Sequence, residues 1–115
     1  MTLNFKGDFN IVFRVFNDGV AFRYQTSFDE DITVVNEHLK LHFANENNIY
    51  FAQEESYISH FEPFYKHVAL SSIADSTFGS LPALLQSENG INVLITEADL
   101  FDYPNMFISG TEGNA

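Results

Sequence analysis

Residues 11–24 read IVFRVFNDGVAFRY, and this stretch decides the fold because it has the pattern of a β-hairpin. Apolar side chains recur at every second position on both sides of the turn-forming Asn17-Asp18-Gly19. Alternation with a period of two is typical of a strand that buries one face. A short polar turn between two such runs predicts an antiparallel pair.

The register of this hairpin depends on whether the apolar faces of its two strands lie on the same side of the sheet. The alternating apolar residues share one face only if the loop has an even length; they are Ile11, Phe13, Val15, Val20, Phe22 and Tyr24. A two-residue Asp18-Gly19 turn of type I′ satisfies this condition and pairs Val15 with Phe22. A three-residue Asn-Asp-Gly loop would set Arg14 opposite Phe22 and divide the apolar face. We expect the even register, which leaves Arg14 beside Arg23 on the other face.

The rest of the chain continues the period of two. Residues 38–43, HLKLHF, alternate strictly and predict a half-buried strand, and shorter β-rich runs lie near residues 48–52, 63–72, 91–97 and 105–109. Turn-forming clusters such as Gly79-Ser80 and Asn89-Gly90 separate these runs, and a helical turn is indicated only around Ser71–Asp75. Short strands at this spacing predict an all-β fold, an antiparallel β-sandwich.

Composition limits the function. The 115 residues are 45% hydrophobic, enough for one domain with a core, and carry a net charge of −11. This charge argues against nucleic acid, whose binding depends on basic residues, and against an anionic membrane surface; it is compatible with a hard cation such as Ca²⁺. The chain has no Cys, and its N-terminus lacks the pattern of a signal peptide.

Two further stretches complete a family pattern. Residues 81–85 read LPALL, and residues 95–106 read ITEADLFDYPNM. Together with the NDG hairpin, and in this order, they resemble the N-terminal β-sandwich domain of glycoside hydrolase family 97, whose signatures run roughly FR-x-x-NDG-[VI]-A-[FY]-R-[FY] and E-A-x-L-x-DY-x-x-M. The resemblance covers most of the chain and implies a galactose-mutarotase-like fold, here incomplete: residues 1–115 correspond to the second half of that domain.

The resemblance also carries functional expectations. The family's (β/α)₈ barrel, which holds the catalytic acid and base, needs about 250 residues and cannot fit in this chain. The chain is therefore expected to be a non-catalytic segment of an exo-acting, calcium-dependent α-glycosidase, with α-glucosidic links as the expected substrate and α-galactosides as the other family specificity. The barrel would be its partner, oligosaccharide its indirect ligand, and the periplasm or exterior its location. As half a sandwich it is also expected to self-associate when isolated.

Glu97 is the one site residue that the resemblance assigns. It continues the row of Ile91, Val93 and Ile95 on one side of a strand, where a carboxylate needs a partner or solvent. The resemblance implies that the Glu of the E-A-x-L stretch reaches the barrel and helps to bind the catalytic Ca²⁺, and by motif position this residue is Glu97. For Asp102 we expect a turn-stabilising hydrogen bond rather than a metal.

Other candidates are weak. His38 and His42 have the spacing of a helical zinc pair, but on a strand they would stand about 13 Å apart. Glu54, Glu55 and Tyr57 lie in a stretch where the resembled family has an aromatic and acidic loop near the substrate, but the match is loose and no role is assigned to them. The alternative function is a free-standing carbohydrate-binding or assembly module, which would need exposed aromatic platforms for sugars; the absence of Trp counts against it.

Overall fold

The computed structural model describes residues 1–111. The chain divides into two compact units, Met1–His38 and Leu39–Ala115. Both are built from antiparallel strands, and the only helical element in the described part is one short 3-10 turn. The predicted all-β antiparallel fold class is confirmed, and the strand content is consistent with a β-sandwich. No helix within residues 1–111 has the length and apolar character needed to cross a lipid bilayer.

The first unit is a three-stranded sheet in the order β1-β2-β3. Its strands are β1 (Thr2–Asn4), β2 (Phe9–Val15) and β3 (Val20–Thr26). The β2–β3 hairpin has the predicted even register, so the apolar rows of the two strands lie on one face. Phe13 pairs with Phe22, and their ring centroids are 5.9 Å apart.

The turn of this hairpin differs from the prediction in one respect. Val15 pairs with Val20 rather than with Phe22, and the Phe16 N–H donates to the Gly19 carbonyl at 2.8 Å. Asn17 and Asp18 therefore form the turn instead of Asp18-Gly19. Neither has a positive φ, so the turn is not of type I′. The shift sets Arg14 opposite Ala21, which relieves the direct Arg14–Arg23 contact that the predicted register required.

The second unit is a five-stranded antiparallel sheet. Its strands are β4 (Asn47–Glu54), β5 (Tyr65–Ala69), β6 (Phe78–Ser87), β7 (Asn92–Ile95) and β8 (Phe107–Ser109). Their order is β5-β4-β6-β7, and β8 pairs with β6. A 3-10 turn at Leu70–Ser72 follows β5, close to the predicted helical turn. The core lies on one face of this sheet and consists of Ile49, Phe51, Leu70, Ala83 and Leu85.

Two sequence predictions fail in this unit. Residues 38–43 form no strand: Phe43 packs against the core, whereas Leu39 and Leu41 remain 40% and 38% exposed. Their alternation is real, but a strand also needs a neighbour with which to form hydrogen bonds, and none pairs here. Conversely, Gly79-Ser80 is not a turn but part of β6, the longest strand.

The sequence conceals β6 because Gly79 and Pro82 are both unusual in strand interiors. Each has a local reason. A Cβ at Gly79 would lie 2.6 Å from the Ala52 carbonyl oxygen, so β4 and β6 can approach closely only without a side chain there. Pro82 lies where the β4–β6 register is irregular, between the pairs Tyr50–Leu84 and Ala52–Ser80, a position that tolerates the loss of an N–H donor.

Candidate functional site

Glu97 lies two residues beyond the end of β7 and is half-buried. Its Oε1 and Oε2 both accept the backbone N–H of Met106, at 3.0 and 3.1 Å. A donor nearly equidistant from the two oxygens lies on the side of the carboxylate where a cation would bind in bidentate fashion. Glu97 thus has the partner that its place in an apolar row required, and this partner is a main-chain amide at the far end of the loop 98–105.

That loop has an unusual backbone. Asp99 and Asp102 have positive φ angles of 63° and 54°, and the Phe101 N–H donates to the Asp99 carbonyl at 3.0 Å. Asp tolerates this left-handed conformation better than most residues do. The hydrogen bond expected from the Asp102 side chain is not among those of residues 1–111, so that prediction is wrong. Asp102 shapes the turn through its backbone instead.

The loop does not assemble a metal site by itself. Within residues 1–111 no group of three or more His, Cys, Asp or Glu side chains is placed to hold a metal ion. His38 lies outside any helix and shares a 3.0 Å hydrogen bond with the Asn36 side-chain amide. Because Ca²⁺ takes six to eight oxygen ligands, a Ca²⁺ site that includes Glu97 would need most of its ligands from outside the described residues.

Glu54, to which the sequence assigned no role, is a buried carboxylate with two hydrogen-bond partners. It is the last residue of β4 and is only 5% exposed. Its Oε1 accepts the hydroxyl of Ser80 at 2.8 Å, and its Oε2 accepts the hydroxyl of Ser59 at 2.7 Å. Ser80 is itself 4% exposed. A buried carboxylate is very costly unless it is hydrogen-bonded, and here each oxygen has a hydroxyl donor.

Ser59 extends these contacts into the loop between β4 and β5. Its hydroxyl donates to Glu54 and accepts the backbone N–H of Phe61 at 3.1 Å. Phe61 has a positive φ of 55°, a conformation that is rare for a bulky side chain. Ser56 makes a similar local contact, because its hydroxyl oxygen accepts the Ile58 N–H at 3.1 Å. Glu54 is therefore connected through Ser59 to a loop that contains a strained backbone position.

An aromatic cluster lies on this loop and the strands beside it. The Tyr57 ring stacks on Phe78, with centroids 4.6 Å apart and planes 21° apart. The same ring meets Phe107 edge-on at 5.1 Å, and Phe61 lies 6.0 Å from Phe107. Despite these contacts Tyr57 remains 69% exposed. The arrangement is a supported aromatic ring with one side open to solvent.

No pattern along the chain identifies Ser59 and Ser80 as the partners of Glu54. Ser59 and Ser80 lie 5 and 26 residues from Glu54 in the chain, and only the β4–β6 pairing brings Ser80 to the carboxylate. Because β6 was not predicted, its residues could not be placed beside β4. The Glu97 site, by contrast, lies within one continuous motif, so the sequence alone could single it out.

The fold and these sites define a class: an all-β domain of antiparallel sheets with hydrogen-bonded carboxylates at strand ends. Over residues 1–115 the chain matches the family described as Glycosyl-hydrolase 97 N-terminal, and it belongs to that family. This confirms the resemblance on which Glu97 was chosen.

A curated relative extends the comparison. The chain is similar to the retaining alpha-galactosidase of Bacteroides thetaiotaomicron, with 30% identity over 122 residues that cover 98% of this chain. The chain spans 18% of the length of that relative. No solved structure matches the chain.

Proposed function

We propose that this chain is a non-catalytic N-terminal part of an exo-acting α-glycosidase, in which it packs against a catalytic barrel and lines the sugar pocket. Membership of the N-terminal family over residues 1–115 is the observation that carries the proposal. The relative is much longer than the matched segment, in keeping with a parent protein that has a further, catalytic domain. The expected periplasmic or secreted location belongs to the same proposal.

The substrate is proposed to be an α-linked sugar. The relative is named a retaining alpha-galactosidase, which supports α-galactosides and gives no support to the α-glucosidic preference expected from the resemblance. Both α-galactosides and α-glucosides should therefore be tested as substrates, beginning with the α-galactosides.

Glu97 is proposed to contribute to a calcium site that the barrel completes. The geometry limits how it can do so. The Met106 amide occupies the bidentate side of the carboxylate, which leaves an outward lone pair on each oxygen. In this geometry Glu97 can therefore bind a single Ca²⁺ ion through one of its oxygens, but not through both at once. When bound, Ca²⁺ would supply a fixed positive charge beside the sugar; the residues of this chain hold and orient the carboxylate.

The test uses the complete protein that carries this chain. It should release nitrophenol from a nitrophenyl α-galactoside or α-glucoside in a Ca²⁺-dependent way, whereas the 115-residue chain alone should not. Glu97→Gln should weaken Ca²⁺ affinity and turnover together, with partial recovery at high Ca²⁺. Glu88→Gln, in an exposed turn, is the matched control.

Three results would count against the proposal. Full activity of the pure isolated chain would show that the catalytic groups lie in it. An inactive complete protein would favour the alternative, a free-standing carbohydrate-binding or assembly module. Unchanged Ca²⁺ dependence in Glu97→Gln would remove Glu97 from the metal site while leaving the glycosidase assignment intact.

A further inference from the structure

The turn between β6 and β7 contains a pair of residues that can react with each other. Asn89 is the only Asn of the chain that is followed by Gly. In such a pair the backbone nitrogen of the Gly can attack the side-chain amide carbon of the Asn, because the Gly has no Cβ to shield its nitrogen. The proposed calcium site at Glu97 makes no use of this pair.

The structure holds the turn in a geometry that keeps the two reacting groups together. The Oδ1 of Asn89 accepts the backbone N–H of Ile91 at 3.1 Å. This hydrogen bond closes a small ring of atoms, an Asx-turn, which contains both the side-chain carbon Cγ of Asn89 and the backbone nitrogen of Gly90. Groups that the fold already holds close together react faster than groups that must first meet.

The Ile91 N–H also favours the reaction electrostatically. When the Gly90 nitrogen attacks Cγ, negative charge develops on Oδ1, which is the oxygen that accepts this N–H. A donor that already points at an oxygen where charge develops stabilises the transition state. The contact that shapes the turn therefore also lowers the barrier to its modification.

One contact of the turn opposes the reaction. The Gly90 N–H donates to the Ser87 carbonyl at 3.0 Å, and this proton must leave before the nitrogen can attack. The pair is otherwise open, because Asn89 and Gly90 are exposed and a Cβ at Gly90 would meet no atom of the described residues within 4 Å. Water can therefore reach the proton, and the loss of one hydrogen bond should slow the attack by only about two- to tenfold.

We propose that Asn89 is a site of spontaneous covalent modification in the folded protein. A bond forms between the Gly90 nitrogen and Cγ of Asn89, the bond from Cγ to the side-chain nitrogen breaks, and ammonia leaves with the proton that the Gly90 nitrogen gives up. Water then opens the succinimide ring that results. Ring opening at Cγ gives an aspartate, whereas ring opening at the main-chain carbonyl gives an isoaspartate, whose backbone runs through the former side chain. Water is the only co-reactant.

The two products have different effects on the hairpin. Aspartate adds a negative charge to a chain whose net charge is −11, but it keeps an oxygen that can accept the Ile91 N–H. Isoaspartate adds a methylene group to the backbone of the turn. The Ser87 N–H donates to the Ile91 carbonyl at 3.0 Å across this turn, and a longer backbone does not fit between the two groups. Isoaspartate should therefore open the β6–β7 hairpin at its turn, whereas aspartate should not.

The test follows Asn89 in the complete protein that carries this chain and does not depend on the proposed function. The protein is incubated in mildly alkaline buffer, and peptide mapping by mass spectrometry measures the loss of the side-chain amide at every Asn. Enzymatic methylation measures the isoaspartate fraction. The same protein unfolded in guanidinium gives the rate without the turn. We expect the folded rate at Asn89 to lie within about tenfold of the unfolded rate and to increase with hydroxide concentration.

Asn17 is the control within the same molecule, because it also lies in an exposed hairpin turn but is followed by Asp18. In the folded protein it should lose its amide more slowly than Asn89. Asn89→Gln is the matched variant, since its longer side chain would have to close a larger ring, and it should abolish the modification at this position. Hydrogen exchange at the Ser87 amide should be faster in the isoaspartate fraction than in the aspartate fraction.

Two outcomes would overturn the proposal. If Asn89 stays intact in the folded protein while the unfolded chain is modified there, the fold protects the pair instead of exposing it. Equal rates at Asn89 and Asn17 in the folded protein would show that the turn and its Gly have no particular reactivity. If Asn89 is modified but Ser87 protection is the same in both product fractions, only the effect on the hairpin is refuted.

Discussion

Removing the Glu97 carboxylate should open the loop 98–105 locally, whether or not the residue binds a metal. In Glu97→Ala the half-buried N–H of Met106 loses both of its acceptor oxygens. A hydrogen bond to a charged group contributes about 1.5–3 kcal/mol net. The free energy of opening this loop should therefore fall by about that amount, which corresponds to a loss of roughly ten- to 150-fold in amide protection. Glu97→Gln keeps one acceptor and should lose about 1 kcal/mol, or roughly fivefold.

Hydrogen exchange on the complete protein without Ca²⁺, followed by mass spectrometry or NMR, measures this directly at Met106. The order of protection should be wild type, then Glu97→Gln, then Glu97→Ala, with Glu88→Ala indistinguishable from the wild type. The two Asp residues with positive φ should make the loop sensitive, because their conformation has little support once the loop base is open. Equal Met106 protection in Glu97→Ala and wild type would refute the reasoning.

Three further predictions concern the fold. Gly79→Ala should destabilise the domain by about 1–3 kcal/mol, because the new Cβ would lie 2.6 Å from the Ala52 carbonyl oxygen. Gly19→Ala is the control, because a Cβ there meets no atom within 4 Å and should not destabilise the domain. The urea midpoints of the two variants measure the difference. Leu85→Ala should lower the free energy of unfolding by about 2–5 kcal/mol, because Leu85 lies in the core. A shift in its urea midpoint that is less than a third of the shift for Gly79→Ala would contradict this. The isolated 115-residue chain should self-associate in sedimentation, since Val20 and Tyr24 leave the apolar face of β3 exposed; a sharp monomer at high concentration would count against it.

The β2–β3 hairpin shows how far local pattern can carry a prediction. Parity of the apolar positions was enough to choose the even register, because an odd loop would have divided the apolar face. The exact turn was beyond the pattern. Moving the turn from Asp18-Gly19 to Asn17-Asp18 preserves every face and changes only which residues stand opposite, so hydrophobic alternation cannot distinguish the two. The separation of Arg14 from Arg23 in the observed register is an electrostatic difference that could have favoured it.

Residues 38–43 and β6 show where local pattern fails: the first was predicted as a strand and is not one, and the second is a strand that was not predicted. Strict alternation in residues 38–43 describes a segment able to be a strand, but strand formation also needs hydrogen bonds with a neighbour, and that neighbour is not encoded locally. In β6, Gly79 and Pro82 look like strand breakers, and both are explained by the strand alongside: Gly79 by the close approach of Ala52, and Pro82 by the irregular register opposite Phe51. Both errors arise because strand pairing is a non-local interaction.

Glu97 and Glu54 also differ in whether their contacts are local or depend on strand pairing. Glu97 and the Met106 amide are 9 residues apart, within one motif, so sequence could point to Glu97 even though the amide contact itself was not foreseen. Glu54 depends on Ser80, which is 26 residues away and arrives only when β4 and β6 pair. The two therefore respond differently to damage in the sheet. A change that disturbs the β4–β6 pairing, such as Gly79→Ala, should loosen the Tyr57 loop directly through Glu54. It reaches the Glu97–Met106 contact by a longer route, through β8, because Gly79 also pairs with Ile108, two residues after Met106. Amide protection should therefore fall more in the Tyr57 loop than at Met106.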